Sequence, residues 1–322
     1  MSRLEPLQCL VLDGRGGARR VAPDALGRRA PGEVAWLHLD YRDPATLEWL
    51  RRESGLDEVF VEALSANDPR PRSLVQGDAL MVVLRGANPS SEADTDDLVA
   101  LRLWLEGDRV LSFRHRRLGA VQEVVDLLDA GQGPTSAADL LHEIVDHLLA
   151  RIVDVVGGIE DTADELEDQV LSAGNRELRK RLSALRRTSI ALRRHIAPQR
   201  DTIQRLHAER VTWLDDGARA RLREAADRIT RCIEDLDAAR ERAAVTYEEL
   251  GNRMAEEMNA TMYRLSVVAA IFLPLGLLTG LLGINVGGVP GTDSPSAFAV
   301  VTVGLVVLGL LQWWWFKRRD LV

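Results

Sequence analysis

The sequence predicts an α+β membrane protein with an N-terminal cytoplasmic α/β domain, long coiled-coil-like stalk helices and two C-terminal transmembrane helices. Three observations carry this prediction. Two runs without a charged side chain, residues 265–283 and 297–316, lie near the end of the 322-residue chain. Apolar residues recur at alternating steps of four and three through most of residues 141–258. Before residue 134, short Val- and Leu-rich runs alternate with amphipathic segments.

Composition and charge narrow the class of protein. The formal net charge of -8 argues against a nucleic-acid-binding surface. Residues 1–30 contain acids and arginines but no apolar core of a signal peptide, so we expect the bulk of the chain to fold in the cytosol. Cys9 and Cys232 lie far apart in the sequence, which fits a reducing compartment better than a disulfide framework.

Residues 1–134 are predicted to form the cytoplasmic α/β domain. The runs rich in Val and Leu between turn signals predict strands over residues 7–12, 34–39, 79–84, 98–105 and 110–113. Apolar spacing predicts helices over residues 44–53, 57–64 and 118–128. Asp43 is placed to cap the first of these helices, because Pro44 favours the first helical position.

Two polar segments of this domain are weighed as sites and set aside. Residues 13–17 read Asp-Gly-Arg-Gly-Gly after a strand, but Arg19 stands where a dinucleotide fingerprint needs its third glycine, so the segment predicts a turn. Strand alternation puts His38 and Asp40 on one face. Without a nucleophile motif near them, they are interpreted as polar strand-end residues and not as a catalytic pair.

Residues 135–264 are predicted to form a helical hairpin and a stalk helix. One heptad-like seam of apolar residues runs from 141 to 170, residues 172–175 interrupt it, and a second seam runs from 178 to 196. Pro198 is expected to kink the second helix. A third seam starts near Leu222 and continues to Leu265 without a helix breaker, which predicts one helix of about 65 residues, roughly 100 Å long.

The two arms of the hairpin carry opposite charge. The acidic end of the first arm consists of Glu160, Asp161, Asp164, Glu165, Glu167 and Asp168. Arginines follow on the second arm. Such runs are typical of the solvated faces of paired helices, and the alternative is that the acids attract metal cations electrostatically.

The C-terminal region predicts a membrane hairpin. Residues 265–285 form the first span, 286–296 an outer loop and 297–316 a second span, each apolar run being long enough to cross about 30 Å of hydrocarbon. Three tryptophans at 313–315 form an interfacial belt, and Lys317, Arg318 and Arg319 follow in the tail 317–322. The positive-inside rule then predicts both termini in the cytoplasm of a cell with a bacterial-type inner membrane.

The triplet Gly283-Ile284-Asn285 at the end of the first of two C-terminal spans resembles the CorA superfamily of divalent-cation transporters. The segment 283–291 is similar to its ZntB-like, zinc-associated branch more than to the magnesium branch, where Met stands in the middle of the triplet. The resemblance implies a homopentamer around a pore that transports zinc, with magnesium, cobalt and nickel as alternatives. It also implies a sheet sandwiched by helices, and an association of this branch with proton coupling.

The same resemblance assigns positions along the long helix to the pore. The residues on the inward line by helical spacing are Asn259, Met262, Leu265, Ser266, Ala269, Leu273, Gly276 and Gly280. Gly283, Ile284 and Asn285 would form the outer mouth and select the ion. Met262, Leu265 and Leu273 would be hydrophobic constrictions, although such residues at helical spacing also serve as packing.

No motif predicts an enzyme, a cofactor or a tight metal site. Zinc-ligand spacings such as Cys-x-x-Cys are absent, so an ion would keep its water shell against amide and carbonyl oxygens. No ionisable side chain occurs between Arg264 and Asp293, which excludes an intramembrane proton relay. We also expect Ile229, Ile233 and Leu236 to be buried between the stalks of a homo-oligomer. Two alternatives remain, a membrane-anchored sensor or scaffold with a coiled stalk, and an enzyme tethered by a membrane hairpin.

Overall fold

The computed structural model describes residues 4–67, 69–87, 98–172, 176–284, 291 and 294–318, with no account of the side chains of 171–176. The chain divides into two units, Met1–Tyr247 and Glu248–Val322. The first unit contains the sheet and most of the helices. The second contains the two apolar helical segments.

One mixed sheet forms the centre of the first unit. Its strands are β1 Gln8–Leu12, β2 Ala18–Arg20, β3 Val34–Asp40, β4 Arg72–Gln76, β5 Ala79–Ala87, β6 Leu98–Leu105 and β7 Arg109–Arg114. They lie in the order β2-β1-β3-β7-β6-β5-β4. β3 and β7 pair in parallel, with Trp36 opposite Val110, and the other neighbours pair antiparallel. The five predicted strands are therefore confirmed, and the short strands β2 and β4 were not predicted.

Three helices of this unit begin and end near their predicted limits. They are α1 Pro44–Arg52, α2 Glu58–Ser65 and α3 Gly119–Asp129, and a short 3-10 helix spans Pro23–Ala25. The Asp43 carboxylate accepts hydrogen bonds from the backbone N–H groups of Ala45 and Thr46, at 3.3 and 3.1 Å. The predicted cap of α1 is thus confirmed.

Helices cover both faces of the sheet. On one face, Leu50 of α1 and Leu64 of α2 join Leu37, Trp104 and other strand residues in one buried cluster. On the other face, α4 Ala137–Ser172 and α5 Arg176–Leu206 lie against β5. A Cβ added at Gly86 of β5 would lie 2.3 Å from the Leu148 side chain, so this glycine permits the close approach of α4.

The third long helix is α6 Asp216–Leu282, which contains 67 residues. Asp215 caps its start by accepting from the Ala218 N–H at 2.6 Å. The predicted seams of α4 and α5 are buried at nearly every position, although Val156 replaces Val155 as the buried residue of α4. The predicted seam of α6 is buried from Leu222 to Leu250 apart from Tyr247, and it is exposed at Met254, Met258 and Leu265. Pro198 lies inside α5, which continues through it as one helix.

Ion pairs fix the alignment of these helices. Asp139 of α4 pairs with Arg221 of α6 at 2.6 Å, and Asp146 pairs with Arg228 one heptad further along both helices. Both pairs join residues 82 positions apart, so α4 and α6 run parallel. Arg193 of α5 reaches Asp237 at 2.8 Å. Arg179, which precedes Arg193 in α5, donates to the hydroxyl of Tyr247, which follows Asp237 in α6, at 2.8 Å. The two contacts therefore occur in opposite order along the two helices, so α5 is antiparallel to α6.

This alignment corrects one expectation about assembly. Ile229, Ile233 and Leu236 are already 0%, 5% and 1% exposed within a single chain. The helices that bury this part of the α6 seam are α4 and α5 of the same chain, so the expectation that it is buried between stalks of different subunits is wrong. A heptad seam requires partner helices, and here the chain supplies them itself.

Candidate functional site

The candidate site lies on the apolar helical segments of the second unit. The C-terminal part of α6 and the helix α7 Ala297–Arg318 are both long and apolar enough to cross a membrane, and their apolar stretches are not buried. Apolar helices in the core of a globular protein would be buried. Their exposure is what a lipid-facing or subunit-facing surface requires.

One side of the α6 segment faces α7. Val267, Ile271 and Leu275 are half-buried, as is Pro274 beside Leu275, and a Cβ at Gly309 of α7 would lie 3.8 Å from Leu275 Cδ1. With 3.6 residues per turn, these three positions form one face of the helix. They define the contact between the two apolar helices.

The predicted inward line lies on the opposite side of α6. Its members are exposed in the single chain: Asn259, Met262, Leu265, Ser266, Ala269, Leu273, Gly276 and Gly280. The three bulky members, Met262, Leu265 and Leu273, have 60%, 65% and 70% of their surface exposed. The structure therefore leaves the whole line free of contact with α7. Its assignment to a pore remains a prediction.

The C-terminal end of α6 is capped by hydrogen bonds within its own backbone. Gly283 N–H donates to the carbonyl oxygens of Thr279 and Gly280 at 2.9 and 3.2 Å, just after the helix ends at Leu282. A Cβ at Gly283 would lie 3.1 Å from the Thr279 oxygen, so this position suits glycine. Ile284 is exposed. Asn285 lies outside the described residues, as do 286–290, 292, 293 and Arg319.

The acidic end of α4 is partly neutralised by the chain itself. Arg242 of α6 pairs with Glu160 at 3.7 Å and with Asp164, and Arg181 of α5 pairs with Glu165 at 3.3 Å. Within the described part of the chain, no ion pair is formed by the exposed Asp161, Glu167 and Asp168. Three of the six acids thus hold the helices together, and the other three face solvent.

The end of α7 joins its aromatic and basic side chains. The Lys317 ammonium lies 5.1 Å from the Trp313 ring centroid, and the Arg318 guanidinium lies 5.3 Å from that of Trp314. These are cation–π distances. An aromatic residue paired with a cation at a helix end is typical of a membrane–water interface.

The polar residues of the first unit that the sequence predicts to be structural have structural partners. The Asp13 carboxylate accepts from the backbone N–H groups of Arg15 and Gly17, as a turn requires. His38 is buried, and its Nε2 accepts from Arg114 Nε at 2.8 Å, so its proton lies on Nδ1 and is donated to Ser112 Oγ at 2.8 Å. Burial first, and then the Arg114 charge, lower the pKa of His38 to about 3.

Metal ligands do not converge in the part of the chain that the structure describes. Among the described residues, no group of three or more His, Cys, Asp or Glu side chains is placed to hold a metal ion. The ion pairs between α4, α5 and α6 were not anticipated from the sequence. The heptad spacing shared by Asp139 and Asp146 on α4 and by Arg221 and Arg228 on α6 was the signal that could have revealed them.

These features are those of an α/β protein with two helices long and apolar enough to cross a membrane, and comparison with known proteins gives its family. Residues 31–318 match the CorA-like Mg²⁺ transporter protein family. The chain is 38% identical over 307 residues to the zinc transport protein ZntB of Yersinia enterocolitica, covering 95% of this chain and 93% of the relative. It is also 38% identical over 316 residues to the divalent cation transporter CmaX of Pseudomonas aeruginosa, covering 96% and 94%.

A solved structure agrees with this match over the whole chain. The full-length CmaX protein superposes with a TM-score of 0.85 at 37% identity, covering 99% of this chain and 98% of its own. The chain therefore belongs to the family of CorA-like Mg²⁺ transporter proteins. The predicted resemblance and fold class are confirmed.

Proposed function

We propose that this protein transports divalent metal cations across a membrane, zinc in preference to magnesium, cobalt or nickel. The observation that carries the proposal is similarity along 95% or more of the chain to two relatives, one named a zinc transport protein and the other a divalent cation transporter. The segment 283–291, with Ile284 in the middle of the triplet, supports zinc over magnesium. Transport rather than catalysis is supported by the absence of a catalytic motif in the sequence.

The ion path is proposed to run between several copies of the chain. One pair of apolar helices cannot enclose a water-filled passage, so α6 segments of neighbouring subunits would surround it. The exposed line from Asn259 to Gly280 is available for this role because it lies on the side of α6 away from α7. A homopentamer is the assembly that the family resemblance implies.

Asn285 is proposed to select the ion at the outer mouth. Its amide oxygen can accept hydrogen bonds from the water around a divalent cation, and several copies would give a ring of partial negative charge without the strong binding of carboxylates. At the acidic end of α4, the exposed Asp161, Glu167 and Asp168 would attract cations, while their neighbours stay paired with arginines.

The membrane potential would drive the ion inward. A divalent cation gains about 4.6 kcal/mol per 100 mV of inside-negative potential, twice the value for a unit charge. Proton coupling would need pore water or groups outside the span, since 265–292 contains no ionisable side chain. The basic end of α7 supports an orientation in the inner membrane with both termini cytoplasmic.

Flux measurements on proteoliposomes test this proposal. We expect the purified protein to admit zinc, reported by a dye trapped inside, faster than magnesium, cobalt or nickel at equal concentration. Protein-free liposomes provide the background, and an imposed pH gradient shows whether proton movement changes the rate. A correctly assembled protein that admits none of the four ions would contradict the proposal and favour a membrane-anchored sensor or scaffold.

A further inference from the structure

A basic groove lies between α5 and α6 in the first unit. It is an open cavity of about 490 Å³, lined by Arg179, Lys180, Ser183, Arg187 and Tyr247. Arg179 is held in place here, because it donates to the Tyr247 hydroxyl and its guanidinium carbon lies 4.9 Å from the Tyr247 ring centroid. Glu177 is the carboxylate beside the groove, 3.6 Å from the Lys180 ammonium. The lining itself therefore carries three cations and no acid.

The positive charge of the groove continues along α5 as an arginine row, Arg187 and Arg194. The two residues are seven positions apart and both are exposed. Each follows a buried leucine of the helix, Leu185 or Leu192, by two positions, which is more than half a turn. The arginine row therefore points away from the core that α5 shares with α4 and α6. Neither of its guanidinium groups forms an ion pair with another described residue.

An acidic row with the same spacing lies on α6. Its members are Asp227, Glu234 and Glu241, all exposed and each seven positions from the next. Ile229 and Leu236, two positions after the first two acids, are buried, so the acidic row also points away from the core of the chain. Over the part of the chain that the structure describes, these three carboxylates form no ion pair.

Contacts between α5 and α6 fix the relative heights of the two rows. Arg193 of α5 lies beside Asp237 of α6, with 2.8 Å between Nε and Oδ1. Arg179, earlier in α5, lies beside Tyr247, later in α6, at 2.8 Å. These two contacts mark two heights at which a residue of α5 is level with a residue of α6.

Between these two heights, the arginine row and the acidic row coincide. Arg187 lies a little under half-way from the first contact to the second along α5, and Glu241 lies the same fraction of the way along α6. Because the helices are antiparallel, one heptad back along α6 corresponds to one heptad forward along α5. Arg194 is therefore level with Glu234. The two rows match in height and spacing, yet they point outward from different helices of the same chain.

We propose that the basic groove and arginine row of one copy dock against the acidic row of a second copy, in a ring whose axis runs parallel to α6. Rotation about such an axis keeps equivalent residues level, so Arg187 meets Glu241 of the next copy and Arg194 meets Glu234. A contact between two different surfaces of the same chain is heterologous and can close into a ring. The inference rests on the homo-oligomer proposed above and adds which surfaces join. Exposed ion pairs are individually weak, so the rows set the register of the contact more than its strength.

A second acidic row on α4 fits the arginines less well. Asp154 and Asp161 are exposed and also seven positions apart. By the same alignment of helices, Asp161 is level with Leu185 and not with an arginine. α6 is also the helix that neighbouring copies must approach if they are to enclose an ion path. The contact ends at Asp227, which is level with Asp201 of α5 and would meet a like charge.

Cross-linking between differently tagged copies tests the contact. Four single-cysteine chains are made with both native cysteines replaced by serine: Arg187→Cys, Arg194→Cys, Glu234→Cys and Glu241→Cys. They are co-expressed in pairs as full-length chains and treated with a short bis-maleimide. We expect a product carrying both tags from Arg187→Cys with Glu241→Cys, and from Arg194→Cys with Glu234→Cys.

The same four chains supply the matched control. Exchanging the partners pairs Arg187→Cys with Glu234→Cys and Arg194→Cys with Glu241→Cys, which displaces the two thiols by about 10 Å along the helices. The yield should then fall severalfold. Every cysteine occurs in one matched and one displaced mixture, so differences in thiol reactivity cancel.

Charge reversal tests whether the ion pairs set this register. Adding Arg194→Glu to the Arg187→Cys chain should lower the yield with Glu241→Cys, because like charges then face each other. Adding Glu234→Arg to the Glu241→Cys chain should restore it. A yield that ignores both changes would contradict the proposed pairing.

Mass and zinc flux of the same preparations separate this inference from the proposed function. Equal yields from matched and displaced mixtures, or no product carrying both tags, would overturn the contact alone if the assembly contains several chains and admits zinc. Cross-linking of Arg187→Cys to Asp161→Cys instead of Glu241→Cys would also overturn it and assign the contact to α4. A single-chain mass without flux would overturn the proposed function as well.

Discussion

Truncation of Ile229 should destabilise the single chain rather than dissociate subunits. Ile229 of α6 is fully buried in one chain. Replacing it with alanine removes a side chain and leaves a cavity, a change that costs about 2–5 kcal/mol in other protein cores. For a unit of this size, that loss corresponds to a fall in the melting temperature of roughly 5–15 °C.

An exposed residue on the same helix supplies the matched control. Val245 is also an apolar residue of α6, but 58% of its surface is exposed in the single chain. Val245→Ala should therefore change the free energy of unfolding by no more than about 0.5 kcal/mol. Both variants truncate a β-branched side chain to alanine and keep the charge of α6, so burial is the main difference between them.

Two measurements on the full-length protein in detergent check the prediction. Thermal unfolding should give a large shift for Ile229→Ala and a negligible one for Val245→Ala, and the mass of the assembly below the melting temperature should be that of the wild type in both. If Ile229→Ala melts like the wild type but yields smaller assemblies, the residue is an inter-subunit contact and the alignment of α4, α5 and α6 derived above fails.

Two further predictions concern topology and acid stability. With both native cysteines replaced by serine, Thr292→Cys should react with an impermeant thiol reagent in intact cells and Leu321→Cys should not; the reverse pattern would invert the topology. The pKa of His38 lies at about 3 in the folded state and near 6.5 in the unfolded state. As pH falls from about 6.5 to 3, only the unfolded state therefore takes up this proton. The free energy of unfolding then falls by up to about 1.4 kcal/mol per pH unit. His38→Gln should flatten that slope between about pH 6 and 4.5. A slope equal to that of the wild type would contradict the prediction.

The sheet illustrates which strands can be predicted from sequence. The five predicted strands lie between other strands and are buried, so long runs of Val and Leu mark them. β2 and β4 are the two edge strands, and most of their residues are partly or fully exposed. Edge strands carry polar side chains because only one neighbour covers them, and their pattern therefore resembles a loop.

The long helices show a different limit of sequence patterns. Heptad spacing correctly predicts that Ile229 and Leu236 are buried, because a stripe of apolar residues must be covered. It does not specify whether the covering helix belongs to the same chain. The ion pairs of Asp139 with Arg221 and Asp146 with Arg228 supply that information, and they depend on a register that only the folded structure fixes.

The clustering of arginines at one end of the sheet could not be predicted for a related reason. Arg85 and Arg102 each occur within an apolar strand, where an isolated charge gives no sign of what faces it. Only the pairing of β5 with β6 places both on one face, and only the ends of β3 and β7 bring Arg42 and Arg116 beside them. Helical spacing alone separates the predicted inward line of α6 from the side that contacts α7, and the assignment of that line to a pore remains a prediction.

The final prediction concerns Asn285. This residue lies outside the described residues, so its proposed role rests on the sequence. Two explanations of this residue give different results for one substitution. If Asn285 only ends the helix, Asn285→Gly should transport normally, because glycine is tolerated or preferred at such C-terminal positions. If its amide oxygen binds hydrated ions, the same variant should lose flux while its assembly and melting temperature stay those of the wild type.

A second substitution at the same position tests the charge of the proposed ring. Asn285→Asp keeps an oxygen at similar reach but adds a negative charge in every subunit, so it should bind divalent cations more tightly and release them more slowly. We therefore expect zinc flux that saturates at lower concentration and reaches a lower maximum than in the wild type. Zinc and magnesium uptake into proteoliposomes, measured side by side on both variants, checks these outcomes. Full activity of Asn285→Gly for both ions would refute the role of Asn285 in selection, because the variant lacks any side-chain oxygen with which to hold the ion's water.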